Sequence, residues 1–153
     1  MNDVVDSTTR SRMMQSIRGR DTKPELFLRR YLHSLGYRFR LHRKDLPGSP
    51  DLVLPRYKLA IFVHGCFWHR HPSCFYATTP GTKASFWEAK FAANVRRDRE
   101  ACKNLQQQGW RVLVVWECGF KHCREHLPDI PDLIQAGSLY HEWPASPPRL
   151  RDV

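Results

Sequence analysis

The sequence predicts an α/β domain in which a mixed β-sheet is flanked by helices. Two uninterrupted apolar runs, residues 59–63 and 112–116, are typical of buried strands. Two further segments, 23–35 and about 83–107, repeat apolar residues at helical spacing. We therefore expect the element order α-β-β-β-α-β-α.

The first helix is predicted from its start signal, Thr22-Lys23-Pro24-Glu25. A capping threonine, an early proline and a glutamate three residues after the cap are typical of a helix N-terminus. Gly36 should end this helix. Glu25 shares a face with the leucines and should point inward. That face carries Leu28, Leu32 and Leu35.

Three strands should follow. Residues 37–41 alternate apolar and basic side chains, which predicts a half-buried strand. After a turn at 47–50, a short strand begins at Asp51, and residues 59–63 form a buried strand that ends at His64. A hairpin of the last two strands would bring Asp51 close to His64.

The second helix, from about residue 83 to 107, should end at Gly109. The strand 112–116 comes next, followed by a short helix around 119–126 and a proline-punctuated tail. The inward face of the second helix is predicted to carry Phe86, Trp87, Phe91 and Val95.

The charge is concentrated in the first third of the chain. The 153 residues carry a formal net charge of +10, and between Arg10 and Lys44 eleven Lys or Arg face only two acids. Such a surface attracts polyanions by counterion release; the alternative is a solvated basic face. A membrane surface fits less well because turns interrupt this block. We expect residues 1–21 to be a basic arm that orders on a partner, and residues 22–153 to be one domain.

The chain shows no sign of a targeting or membrane segment. No apolar run approaches the roughly 18 residues that cross a bilayer. The N-terminus lacks a basic region followed by an apolar stretch. We expect an intracellular protein in which the odd number of cysteines favours metal ligation over a disulfide framework.

Three of the five cysteines lie in a pattern with metal-binding character. Cys66, His71 and Cys74 fall within nine residues, and Cys118 ends the strand 112–116. A Cys₃His set is a tetrahedral zinc site without an open position, and is therefore structural. Cys123 and His122 are alternatives to Cys118 as the fourth ligand, and buried cysteines without metal are a second alternative. Cys102 is predicted to belong to the core.

Asp51 and His64 indicate chemistry on phosphodiesters. An aspartate at a strand start and a second group at the end of the next strand form the layout of many metal-dependent nucleases. Magnesium needs only one or two carboxylates, so Asp51 and a backbone carbonyl of the neighbouring strand suffice. His64 and His69 flank Cys66, and a neutral imidazole is a suitable general base. A single histidine is more often structural, but two beside a metal-held loop favour catalysis.

The run His-Gly-Cys-Phe-Trp-His-Arg-His at residues 64–71 is specific enough to indicate a family. The chain resembles the very short patch repair (Vsr-type) DNA mismatch endonucleases from about residue 8 to residue 120. The other landmarks that carry the resemblance are Thr9-Arg10-Ser11, Met14, Asp21-Thr22 to Glu25, Leu46–Asp51, Phe86-Trp87, Asn94-Val95, Arg97-Asp98-Arg99 and Gly109–Cys118.

The resemblance implies a restriction-endonuclease-like fold and a nick on the 5′ side of the T in a T:G mispair, which arises when 5-methylcytosine deaminates. It implies Mg²⁺ held by Asp51 and the main-chain carbonyl of Val63, with His69 as the base. His64 and Glu25 would support that base. The implied structural zinc ligands are Cys66, His71, Cys74 and Cys118. Val63 stands where the family has threonine, and the segment 71–74 is one residue longer than the family pattern.

Aromatic and basic residues complete the expected DNA contacts. A mispair stacks weakly, so wedge side chains open it at low cost. We expect Phe67 and Trp68 to enter the major groove, with Trp87 in support and Met14 entering the minor groove. The alternative for these aromatics is a place in the core. The backbone contacts are expected from Arg10, Arg12, Arg18 and Arg20.

Two other functions remain open from the sequence. A type II restriction endonuclease would cut both strands of matched DNA, usually as a dimer. A zinc-stabilised DNA-binding module without catalysis would leave Asp51, His64 and His69 without a joint purpose. We expect a monomer that acts on double-stranded DNA in the cytoplasm, close to the nucleoid, with repair proteins as further candidate partners.

Overall fold

The computed structural model describes residues 21–150. Met14 and the four arginines of the predicted arm, Arg10, Arg12, Arg18 and Arg20, lie outside the described residues.

A mixed five-stranded sheet forms the centre of the described chain, as predicted. The strands lie side by side in sequence order, the first three antiparallel and the last three parallel. The strands are β1 (Arg40–Leu41), β2 (Leu52–Leu54), β3 (Leu59–His64), β4 (Arg111–Trp116) and β5 (Tyr140–Trp143).

Four α-helices accompany the sheet within residues 21–150. They are α1 (Lys23–Ser34), α2 (Ala84–Gln107), α3 (Glu117–His122) and α4 (Asp129–Gln135). Short 3₁₀ turns lie at Pro55–Tyr57 and Arg124–His126.

The two faces of the sheet bury different partners, because neighbouring residues of a strand point to opposite sides. Ile61 and Leu113 pack in one core with α1 and α4, whereas Ala60 and Val114 pack in a second core with α2 and the cysteine loop. The helix partners in the first core are Leu28, Leu32, Ile130 and Ile134. The loop around residues 66–74 therefore shares one sheet face with α2.

The start of α1 follows its sequence signal. The Thr22 hydroxyl accepts a hydrogen bond from the Glu25 N–H at 3.4 Å, and Leu28 and Leu32 are fully buried. The prediction for Leu35 is wrong, since its side chain is 48% exposed. The helix ends at Ser34, and the turn through Gly36 (φ +88°) carries Leu35 away from the apolar face.

Phe86 also departs from its predicted inward position, since it is 57% exposed. It lies in the first turn of α2, one residue from the buried Trp87. Consecutive helical residues are about 100° apart around the axis, so only one of the two faces the core. Trp87 and Phe91 take the inward positions.

The largest difference from prediction is the last quarter of the chain, where the expected tail contains α4 and β5. Pro131 argued against a helix in the sequence, and α4 was therefore missed. A proline in the first turn of a helix removes no intrahelical hydrogen bond, so α4 tolerates it. β5 is half polar, as an edge strand allows. The predicted strand 37–41 shortens to Arg40–Leu41, and the short third helix starts at Glu117 instead of 119.

Among residues 21–150, no helix combines the length and the apolar character that crossing a membrane requires.

Candidate active site and metal cluster

The β2–β3 hairpin brings Asp51 to the end of β3, as predicted. Leu52 pairs with Ile61, so the residue before β2 lies opposite the last residues of β3. The Val63 N–H donates a hydrogen bond of 2.7 Å to the Asp51 carboxylate. The register of a hairpin that is packed on both faces thus fixes this carboxylate beside His64.

Partial burial raises the pKa of Asp51 to about 8, against the opposing effect of the Val63 N–H. The Glu25 carboxyl lies close enough to raise the pKa of Asp51 further. Two carboxyl groups that repel each other in a desolvated position are stabilised by a bound cation.

Glu25 lies in a polar network at the base of α1 and is only 2% exposed. Arg29 donates a hydrogen bond of 2.9 Å to Glu25 and one of 2.7 Å to Asp21. His42 Nε2 lies 3.1 Å from the same Glu25 oxygen. The predicted inward position of Glu25 is confirmed, and two residues that sequence reasoning missed, Arg29 and His42, hold its carboxylate in place.

The two predicted histidines form a stacked pair. The rings of His64 and His69 are parallel within 4°, with centroids 3.8 Å apart. Burial, followed by the proximity of His69, lowers the pKa of His64 to about 3, which keeps that ring neutral.

Asp98 on α2 completes the pair, with its carboxylate 2.7 Å from His69 Nδ1. A carboxylate that accepts from Nδ1–H leaves Nε2 as the proton-accepting nitrogen. Sequence reasoning noted Asp98 only as a family landmark and missed its contact with His69. The two residues are 29 positions apart in the sequence, so no local spacing pattern predicts their contact.

These groups share one cleft of ≈ 520 Å³. Its walls include Asp51, Val63, His64, His69 and Asp98, and the α2 residues Asn94 and Arg97. Arg97 also hydrogen-bonds Asn94, whose amide donates to the Trp68 carbonyl at 3.2 Å. The cleft thus combines carboxylates, a histidine–aspartate pair and an arginine. These are the kinds of side chain that hydrolysis of a phosphodiester requires.

The predicted metal ligands also meet. Cys66, His71, Cys74 and Cys118 are all buried, and their donor atoms lie within 4.8 Å of one another. The Cys66 and Cys118 sulfurs are 3.7 Å and 3.4 Å from His71 Nδ1. Tetrahedral zinc with ordinary bond lengths places such atoms about 3.6 Å apart. The donor set therefore fits a zinc ion in chemistry and in size.

The alternative fourth ligands lie elsewhere. Cys123 packs in the core on the opposite sheet face, and His122 Nε2 lies 2.6 Å from the Tyr76 hydroxyl. Cys102 is half-buried on α2 and packs against the second core, as predicted. Of the candidates, Cys118 is the one that β4 delivers to the cluster.

The cluster favours a thiolate at Cys66. A hydrogen bond from the Cys118 thiol lowers the pKa of Cys66 to about 4, and the same bond raises the pKa of Cys118. Thiolates are the form that binds metal, and a metal ion replaces the shared proton.

An aromatic cluster follows directly on the histidines. Phe67 and Trp68 are half-buried, with ring centroids 4.9 Å apart, and both lie near Trp87 at 6.0 Å and 5.9 Å. Trp87 itself is buried beneath them, and Phe86 extends the cluster toward solvent. The rings of Phe67 and Trp68 are thus partly accessible to solvent, and Trp87 packs against them from the interior of the protein.

A cleft that combines carboxylates, a histidine–aspartate pair and an arginine is typical of nucleases. Comparisons with known proteins give the same class. A family model described as DNA mismatch endonuclease Vsr matches residues 2–75. The DNA mismatch endonuclease Vsr of Escherichia coli (strain K12) is 46% identical over 129 residues, covering 84% of this chain and 81% of the relative.

Two nicking enzymes are similarly related. A type II nicking enzyme of Xanthomonas oryzae pv. oryzae is 48% identical over 118 residues, covering 77% of this chain and 86% of the relative. Another, from Neisseria meningitidis serogroup A, is 40% identical over 130 residues, covering 83% and 92%. The chain therefore belongs to the Vsr family of DNA mismatch endonucleases, and it is a nuclease of the hydrolase class.

Proposed function

We propose that this protein nicks one strand of duplex DNA on the 5′ side of the T in a T:G mispair and so starts very short patch repair. The proposal is carried by one observation. Asp51 before β2, His64 at the end of β3 and His69 in the cysteine loop line the same cleft in a chain of the Vsr family.

The cleft residues suit a catalytic Mg²⁺ ion. Asp51 and the Val63 carbonyl would hold it, with Glu25 beside them, because magnesium prefers oxygen ligands and keeps several waters. When bound, the ion supplies positive charge to a nonbridging phosphate oxygen and acidifies water. Arg29 and His42 fix the direction of Glu25, so that this second carboxylate stays next to Asp51.

His69 is the proposed general base. Its Nε2 accepts the proton of the attacking water, and the Asp98 carboxylate stabilises the resulting imidazolium through Nδ1. His64 stays neutral because of its burial and limits the tilt of His69 through the ring stack. Arg97, on the wall of the cleft, would stabilise charge that develops on the phosphate.

The Cys₃His cluster is proposed to hold a structural zinc ion. Four protein donors leave no open position for substrate. The ion would fix both ends of the segment 66–74, and that segment contains the general base. We propose that the mixed sheet, with its active site at the β2–β3 hairpin, is a variant of the restriction-endonuclease fold.

Phe67 and Trp68 are proposed to act as the wedge at the mispair, with Trp87 supporting them from below. Their partial exposure suits insertion between base pairs. Met14 would enter the minor groove, and Arg10, Arg12, Arg18 and Arg20 would bind phosphates. We further propose that the protein acts as a monomer in the cytoplasm near the nucleoid, with repair proteins as candidate partners.

A nicking assay tests the proposal. It uses three duplexes that differ in one base pair, T:G, T:A or C:G, with each strand labelled separately and Mg²⁺ present or withheld. We expect a nick only in the T strand of the T:G duplex and only with Mg²⁺. Cleavage of both strands of a matched duplex would instead indicate a restriction-type endonuclease.

The same assay tests the general base. His69→Ala should slow the chemical step by about 10² to 10⁴, which is the usual contribution of a positioned base. Its control is His141→Ala, a half-buried histidine on β5 outside the cleft, which should leave the rate unchanged. A His69→Ala protein with the wild-type rate would refute the assignment.

A further inference from the structure

Trp116, the last residue of β4, lies between the Cys₃His cluster and the histidine pair. Its indole stacks on His71, with centroids 4.1 Å apart and planes within 8°. Its edge meets His64 at 5.3 Å with an interplanar angle of 69°. The side chain is only 5% exposed, so both contacts lie inside the protein.

The stack continues to the proposed base. His64 is stacked on His69, and His69 is held by Asp98. An unbroken row of rings therefore runs from a cluster donor, His71, through Trp116 and His64 to His69. In a close-packed interior, a displaced ring displaces its neighbour, so the row transmits position from one end to the other.

Trp116 is fixed at both its backbone and its ring. Its backbone pairs with His64 in the parallel β3–β4 ladder. Its indole N–H donates a hydrogen bond of 2.9 Å to the Glu142 carboxylate on β5. This bond ties the edge of the indole to β5, in addition to the packing of its face on His71.

We propose that Trp116, oriented by Glu142, is a positioning residue for the nicking reaction. It transmits the geometry of the metal cluster to His64 and His69 and so holds the base within the narrow tolerance that proton transfer requires. This inference rests on the proposed role of His69. It also gives β5 a function, since the edge strand supplies the carboxylate that orients the ring.

Three variants of tryptophans test the proposal. Trp116→Leu removes the ring and should lower the single-turnover nicking rate at saturating DNA and Mg²⁺ by about 10- to 100-fold, the typical cost of misplacing a reacting group by about 1 Å. Trp116→Phe keeps a flat ring but lacks the indole N–H, so it should recover only part of that loss and nick at about the rate of Glu142→Leu. Trp110→Leu is the matched control, because Trp110 is buried in the same core, 7% exposed, and contacts Lys58 and Arg43.

Four readouts separate positioning from folding: the melting temperature, the nicking rate, the DNA affinity and the zinc content. Trp110→Leu should lower the melting temperature about as much as Trp116→Leu while keeping the wild-type rate. DNA affinity and one bound zinc per chain should be unchanged in both. Equal rates for Trp116→Leu and wild type would overturn the proposal, as would equal losses of rate in Trp116→Leu and Trp110→Leu.

Glu142 provides an independent test that holds even where Trp116→Leu fails to fold. Glu142→Gln retains an acceptor for the indole N–H and should keep the wild-type rate, whereas Glu142→Leu should slow nicking. Identical rates for the two Glu142 variants would contradict the orienting role. His69→Ala, run alongside, separates the hypotheses, since an active His69→Ala protein would refute the proposed base itself.

Discussion

The molecule holds two groups of candidate metal ligands side by side, the Cys₃His cluster and the cleft around Asp51, and they differ in almost every physical respect. The Cys₃His cluster is buried and made of soft donors at tetrahedral spacing. The cleft around Asp51 is open, and its carboxylates and imidazoles keep room for a phosphate. The difference is the reason why we assign stability to the closed group and chemistry to the open one, because only the latter would leave a coordination position for substrate.

Substitution of a cluster cysteine should have the largest effect. Cys66→Ser removes a thiolate from a site whose metal would contribute about 10–16 kcal/mol to folding, which equals or exceeds the usual stability of a domain. We expect loss of the folded state, measured by circular dichroism, together with loss of bound zinc measured by mass spectrometry. Cys102→Ser, outside the cluster, is the control and should fold normally. A folded, zinc-free and active Cys66→Ser protein would contradict the structural role.

Asp51→Ala should have the opposite profile, with intact folding and lost chemistry. Removal of this carboxylate weakens binding of the catalytic cation, whose charge stabilisation is worth several kcal/mol, so nicking should fall by more than about 10³. Gel-shift affinity for mispaired DNA should be retained. Asp45→Ala removes an exposed carboxylate paired with Arg43 and serves as the matched control. The assignment fails where Asp51→Ala and Asp45→Ala nick at similar rates.

Asp98→Ala should have an intermediate effect. The variant removes the hydrogen bond that orients His69 and stabilises its charged form, and bonds to charged groups contribute about 1.5–3 kcal/mol. We therefore expect a loss of about 10- to 100-fold in the single-turnover rate, with unchanged zinc content. Glu100→Ala, an exposed acid on the same helix, controls for the lost charge. Equal rates in the two variants would show that Asp98 acts only through its charge.

Val63→Thr should have the smallest effect. It restores the residue expected from the family pattern, but the proposed ligand at this position is the main-chain carbonyl, which the substitution leaves in place. A new hydroxyl contact contributes at most about 1.5 kcal/mol, so the nicking rate and the Mg²⁺ concentration for half-maximal activity should change by less than about tenfold. A larger change would assign the side chain a direct part in cation binding.

The part of the site that could be predicted depends on short-range signals. The hairpin places Asp51 beside His64 because both strands are short and apolar. Likewise, spacing and residue type predicted that Cys66, His71 and Cys74 share a site, with Cys118 as one candidate for the fourth donor and Cys123 or His122 as the alternatives. The helix face that Glu25 shares with Leu28 correctly predicted its inward direction.

Most of the residues that were missed make contacts across the chain. Asp98 reaches His69 from the middle of α2, and His42 reaches Glu25 from beyond the end of α1. Glu142 lies on β5, a strand whose polar residues carry no regular alternation signal. Such long-range contacts follow no spacing rule, so they are found only when the fold is known. Arg29 differs, because it meets Glu25 at the i,i+4 spacing within α1 and this signal was present in the sequence.

The separation of the cluster donors along the chain has a consequence for synthesis. A chain emerging from the ribosome exposes Cys66, His71 and Cys74 together, but Cys118 follows only after all of α2 and β4 have been made. The fourth bond to the proposed ion, and with it the fixed position of His69, would therefore form only late in translation. A shortened polypeptide that carries the proposed wedge and the proposed base would still lack the ligand that holds them in place.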